Sequence, residues 1–151
     1  IFGADVWIRH PQRKEQLSRL VLLCQNEQGY LNLKKLVSRA YQEGQSAERT
    51  TVQIDWLREA SEGLIALSAC LDGDIGLALR AQNSELAESC LLEWLLIFEN
   101  RFFHELQYLY SRAGNKSQFF SLTTKNCMNI LQHQTVNQVK EFLQFEHLSN
   151  K

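Results

Sequence analysis

Asp5 is the first residue that could do chemistry. It stands inside an otherwise apolar opening stretch, residues 1–8 (IFGADVWI). A carboxylate within a buried strand is costly unless it is paired, hydrogen-bonded or bound to a metal. Asp5 is therefore a candidate ligand, and the plainer alternative is that it points to solvent between Ala4 and Val6. Cys70 is the second. It follows the apolar run 63–68 (GLIALS) and precedes Leu71-Asp72-Gly73-Asp74. Ligand sites in parallel α/β folds gather at the C-terminal ends of strands, so Cys70 is well placed, although a free Cys more commonly serves as a small buried residue. His10, His104, His133 and His147 share no metal-ligand spacing. His104 reads as a core or barrel-interior residue and the other three as exposed. Arg9, Arg13 and Lys14 form a small basic cluster that reads as a solvated loop. No HxH, HExxH, GxSxG or phosphate loop occurs, and Gly73-Asp74-Ile75-Gly76 reads as a turn.

The elements that must position these residues follow from hydrophobic spacing. Residues 1–8 read as a strand stopped by Pro11. Residues 20–24 (LVLLC) form a continuous apolar run of the kind buried on both faces, and 63–68 form a second. Between them, 26–29 (NEQG) reads as a turn, and 30–41 place Leu33, Leu36, Val37 and Ala40 at helical spacing, closed by Gly44. Residues 45–51 read as a loop and 54–57 open another helical turn. Asp72 and Asp74 mark the start of a short helix, where carboxylates meet free amides and the positive dipole end. With Asn83 or Ser84 as N-cap, Leu86, Cys90, Leu91, Trp94, Leu95 and Phe98 line one face of a further helix. Core is the expected fate of that face, because a sheet needs helical cover; a partner-binding face is the alternative. Residues 101–107 (RFFHELQ) are a third candidate strand. The alternation implies a parallel α/β sheet or barrel, with residues 20–24 and 63–68 pairing in parallel.

Composition narrows the class. The chain has 151 residues, 44% hydrophobic and 22% charged, enough for one domain with a core. A net charge of −1 provides no bulk positive field for nucleic acid. The longest apolar run is interrupted by Glu93, far short of the ~20 residues that cross a bilayer, and no secretory signal pattern opens the chain; no membrane partner is expected. Cys24, Cys70, Cys90 and Cys127 are 46, 20 and 37 positions apart, so no CxxC exists. Scattered thiols fit a reducing cytoplasm. The single Met is Met128 and position 1 is Ile, which reads as an excised or truncated piece. Charge reverses near position 107: residues 1–107 carry 11 Lys+Arg and 15 Asp+Glu, residues 108–151 carry 5 and 2. Residues 108–151 are also rich in Asn and Gln; 126–148 read as one or two helices and 111–124 as loop.

The ordered set IFGADVWI, RLVLLCQNEQGYLNLKKLVSRAYQEG, IDWL, EGLIALSACLDGDIGLAL and NRFFHELQ resembles the polymerase-and-histidinol-phosphatase (PHP) domain of bacterial DNA polymerase III alpha subunits. LLCQNEQGYLNL and GLIALSACLDGDIG are its most specific parts. The resemblance covers residues 1–107 and implies an α/β fold, an incomplete PHP-type (β/α) barrel fragment. Residues 108–151 match nothing expected there, so a frameshift or fusion is the reading for that tail.

The resemblance implies strand ends that, in many members, hold a metal cluster and hydrolyse phosphoesters, including as a 3′–5′ exonuclease. Members without the ligands serve as scaffold and as docking surface for a proofreading exonuclease subunit and other replisome subunits. The parent enzyme is a DNA-directed DNA polymerase that uses magnesium and meets DNA itself. Asp5 matches the family's acidic ligand after Gly-Ala, where metal-loaded members usually have Glu. Cys70 matches the cysteine of the LSxC segment. The place where the family often has His, before LVLLA, holds Arg19, and a guanidinium offers no lone pair to a metal. Two ligands are too few for a closed or catalytic site, so no cofactor is expected in this segment; zinc or manganese belongs to PHP sites with the full set. The expected role is DNA replication in the cytoplasm through the parent polymerase, with this segment inactive alone. A metal-dependent PHP phosphoesterase is the alternative. A barrel short of strands at both ends is also expected to fold poorly alone, because open edges invite aggregation.

Overall fold

The structure, a computed structural model, describes residues 1–11, 13, 16–46 and 49–105. The calls on 108–151, and on Lys14, His133, His147 and Cys127, lie outside the described residues.

Alternation of side chains builds the first two strands. In β1 (Gly3–Arg9) Val6 and Ile8 are buried while Asp5 is exposed. In β2 (Leu17–Cys24) Ser18, Leu20 and Leu22 are buried and Arg19, Val21 and Leu23 are only half so. This is the pattern of a sheet with one covered face. Helix α1 (Glu27–Glu43) begins earlier than its apolar spacing indicates, because the Asn26 side chain accepts from the Gly29 N–H at 2.9 Å and caps it. The expected turn at 26–29 is thus the cap and first turn of the helix. Gly44 is its C-cap.

Strand β3 (Thr51–Gln53) falls partly within the expected loop and runs into α2 (Ile54–Glu59). After β4 (Leu64–Leu67) come α3 (Asp74–Arg80) and α4 (Ser84–Phe98). Asn83 caps α4, accepting from the Leu86 N–H at 3.0 Å. Helix α3 has Gly73 as N-cap and no side-chain cap, so Asp72 lies before the helix, not in it. A 3-10 turn (Glu99–Arg101) leads to β5 (Phe102–Phe103), shorter than the expected 101–107; residues 106 and 107 lie outside the described set.

Among the described residues the sheet has five strands in the order β3-β1-β2-β4-β5. β1 pairs with β3 in parallel, and β4 with β5 in parallel. β2 is antiparallel to both of its neighbours, β1 and β4. The strands at 20–24 and 63–68 therefore do pair, but antiparallel where parallel pairing was expected. β2 follows β1 in sequence and pairs with it antiparallel, and that reverses β2 inside a sheet whose other four strands share one direction.

The core lies between the sheet and the helices. Leu20, Leu22, Leu64 and Ala66 meet Leu36 and Ala40 of α1, Leu57 of α2, Ile75 of α3 and Cys90, Leu91, Trp94 and Phe98 of α4, all at most 4% exposed. The α4 face is thus core, with Leu86 and Leu95 half-buried at its margin. On the opposite sheet face Trp7, Val21, Leu23, Ile65 and Leu67 remain half-buried and Phe103 exposed.

Candidate functional site

Two groups of polar side chains stand out, one on the open sheet face near the C-terminal end of β4, the other between sheet and helices.

The first begins where β4 ends. Ser68 is buried; its N–H donates to Phe103 O at 3.0 Å and its Oγ accepts from the Glu105 N–H at 2.9 Å. Ala69 and Cys70 then both take left-handed backbone, φ 52° and 48°. For side chains with a Cβ this costs roughly 1–2 kcal/mol each. The chain returns over the sheet: the Asp72 N–H donates to Ala69 O at 3.1 Å, and the Arg19 N–H donates to Asp72 O at 2.9 Å. Gly73 seals the return, since a Cβ there would lie 1.8 Å from Ser68 O.

Arg19 gathers this region. Its Nε donates to Asp5 Oδ1 at 3.2 Å, its Nη2 pairs with Asp5 Oδ2, and its Nη1 donates to Asp72 Oδ2 at 3.2 Å. The Trp7 ring lies 5.8 Å from the same guanidinium, and Arg49 stands over that ring at 4.0 Å. Asp5 thus takes both alternatives to a ligand role, exposure and pairing. Cys70 sits half-buried at the strand end where expected. The structure joins Asp5 to Asp72 through Arg19 and shows no ligand pairing of Asp5 with Cys70.

The second group centres on Glu93 of α4. His10 Nε2 lies 3.0 Å from its carboxylate, Arg13 Nη2 3.5 Å and Arg58 Nη2 2.6 Å. Arg13 also donates to Cys90 Sγ at 2.8 Å and stands 3.9 Å from Asp74. Trp94 Nε1 donates to Asp74 Oδ1 at 2.9 Å. Burial raises the Asp74 carboxyl above its ordinary range, while the Trp94 bond and Arg13 pull it back. Burial, and then the Asp74 carboxylate, push the Cys90 thiol up to about 12, so it stays protonated and is no nucleophile. A cleft of about 530 Å³ opens beside Glu93, lined by His10, Arg13, Asp55, Arg58 and Ser89 among others. His10 and Arg13 are therefore not the exposed, solvated residues that their sequence setting indicated. Opposite charges contributed by Asp74 of α3 and Glu93 of α4 fold them in, and nothing local signals that. His104 is half-buried, and desolvation lowers its imidazole to about 4, in keeping with an interior position.

The family model for the PHP domain matches residues 1–108. The chain belongs to the PHP domain family. Similar PHP-bearing proteins include DNA polymerase III subunit alpha of Pseudomonas aeruginosa, 46% identical over 107 residues, 71% of this chain and 9% of that protein. The protein of the same name from Escherichia coli K12 is 40% identical over 106 residues, 70% of this chain and 9% of its own length. That from Buchnera aphidicola is 36% identical over 123 residues, 81% of this chain and 10% of its own. The chain therefore spans about a tenth of the length of the curated relatives it matches. No helix among the described residues is long and apolar enough to cross a membrane.

A PHP metal cluster does not fit the residues present. Among the described residues no three His, Cys, Asp or Glu side chains gather to hold a metal ion. Asp5, one of the two candidate ligands, has both of its oxygens on Arg19.

Proposed function

We propose that this chain is a PHP segment of a DNA polymerase III alpha subunit, a replicative DNA-directed DNA polymerase of the cytoplasm. It acts in DNA replication through that enzyme. Its own part is scaffold and docking surface for the proofreading exonuclease subunit and other replisome subunits. DNA and the catalytic magnesium are met by the parent polymerase. The observation that carries this reading is the family match over residues 1–108 together with relatives that share one name. The Arg19–Asp5 pair supports scaffold over phosphoesterase, because a charged guanidinium stands against the carboxylate a metal would need.

Two measurements on the purified chain test it. The proofreading subunit is titrated in by calorimetry, and saturable binding is expected. Release of nucleotide from a 3′-labelled single strand is followed with manganese or zinc, and no release above buffer is expected. Metal-dependent release without subunit binding would replace this reading with a PHP phosphoesterase.

A further inference from the structure

We propose that the Arg19 guanidinium is the resident cation of the strand-end site, pairing with both Asp5 and Asp72 and pinning the strained 68–73 loop against β2. A bound metal ion would do that work in a PHP site with its full ligands. The inference rests on the PHP membership of the chain and extends it to what now holds the site together.

Geometry divides one guanidinium between two carboxylates. Nε and Nη2 serve Asp5 on β1, and Nη1 serves Asp72 on the loop after β4. The backbone N–H of the same residue adds a third tie, to Asp72 O at 2.9 Å. Three separate segments thus meet on Arg19. Without it, two negative side chains drawn to one spot would face each other uncompensated, as the donors of a divalent-cation site do before the ion arrives. The loop also needs holding. Ala69 and Cys70 are both left-handed, and such strain persists only where the surroundings over-determine it. Exposed ion pairs contribute little to global stability, and these side chains are 36%, 40% and 57% exposed. The effect is therefore local: Arg19 sets how firmly the loop sits, and Cys70 within it reports on that.

The test follows alkylation of Cys70, resolved by peptide and compared with Cys24, in the full chain. In the wild type the Cys70 rate is unmoved by manganese or by chelator. In Arg19→Gln, Cys70 alkylates severalfold faster while Cys24 does not change. Manganese then slows it again, and potassium chloride at equal ionic strength does not. If Arg19→Gln fails to fold, Asp72→Asn removes the loop arm alone and leaves the Asp5 pair; the same acceleration of Cys70 is expected. A wild-type Cys70 rate in the variants, manganese protection of the wild type, or an acceleration in Arg19→Gln that manganese does not reverse would each overturn the proposal. None of these readouts involves subunit binding, so failure here leaves the docking role standing.

Discussion

Two side chains, the half-buried His104 and the buried Trp94, carry consequences that solution measurements can read. His104 is held at about 4 by desolvation, below its ordinary 6.5. As pH falls, the unfolded chain takes up that proton first, so the His104 contribution is complete above 6.5 and is lost between 6.5 and about 4. The full linkage is worth at most roughly 3 kcal/mol. Urea unfolding at pH 7 and pH 4.5 should therefore show a smaller loss for His104→Gln than for the wild type. Trp94 is 1% exposed and gives its indole N–H to the buried Asp74. Trp94→Phe keeps most of the ring but leaves a carboxylate short of a donor. A loss of about 1–3 kcal/mol is expected from leaving a buried acceptor short of its donor, measured by the same unfolding experiment at pH 7. Residues of this kind were the least legible beforehand. Arg13 and His10 look solvated from their neighbours, and it takes Glu93, with Asp74 and Cys90 beside Arg13, all more than sixty positions away in the sequence, to explain why they are not.

Among the elements, the residues that carry the family resemblance prove to be packing residues. Gly29 of LLCQNEQGYLNL lies in α1 against the turn at Gly63: a Cβ at Gly29 would fall 1.9 Å from Gly63 O. Helix propensity favours Ala over Gly by roughly 0.5–1 kcal/mol, yet overpacking at such a contact costs about 1–3 kcal/mol. Gly29→Ala is thus expected to lower stability, and a melt shifted upward would show the contact to be compliant. The long helices were legible because Leu33, Leu36 and Ala40, and likewise Leu91, Trp94 and Phe98, recur at helical spacing against one core. β3 was not, because Thr51-Val52-Gln53 is three residues with two polar. The left-handed pair Ala69–Cys70 gave no sign, since neither type marks such backbone. The direction of β2 was hidden for a different reason: an apolar run such as LVLLC reads alike from either end, so periodicity says that a strand exists and nothing about which way it points.

Among the described residues the sheet has one covered face, one half-open face and two short edges, β3 and β5, of three and two residues. Short edges offer little template for pairing with another chain, so the edges are a smaller hazard than a fragmentary barrel suggests. The larger hazard is apolar exposure, notably that of Leu96 on the outer side of α4, 84% exposed. Leu96→Glu is expected to leave the unfolding free energy within ~0.5 kcal/mol while lowering light scattering at high concentration; a clear loss of stability would mean that this face is covered in solution. The reversed strand has a bearing on how the chain reaches this state. The 10–16 connection closes the β1–β2 ribbon over seven residues, whereas β1–β3 and β2–β4 each join segments some forty residues apart. Short closures come first because less chain entropy is surrendered. The ribbon then presents two flanks, β1 to receive β3 and β2 to receive β4, so it is expected to act as the nucleus from which the sheet grows outward in both directions. A lengthened 10–16 connection would slow folding more than it would weaken the finished structure.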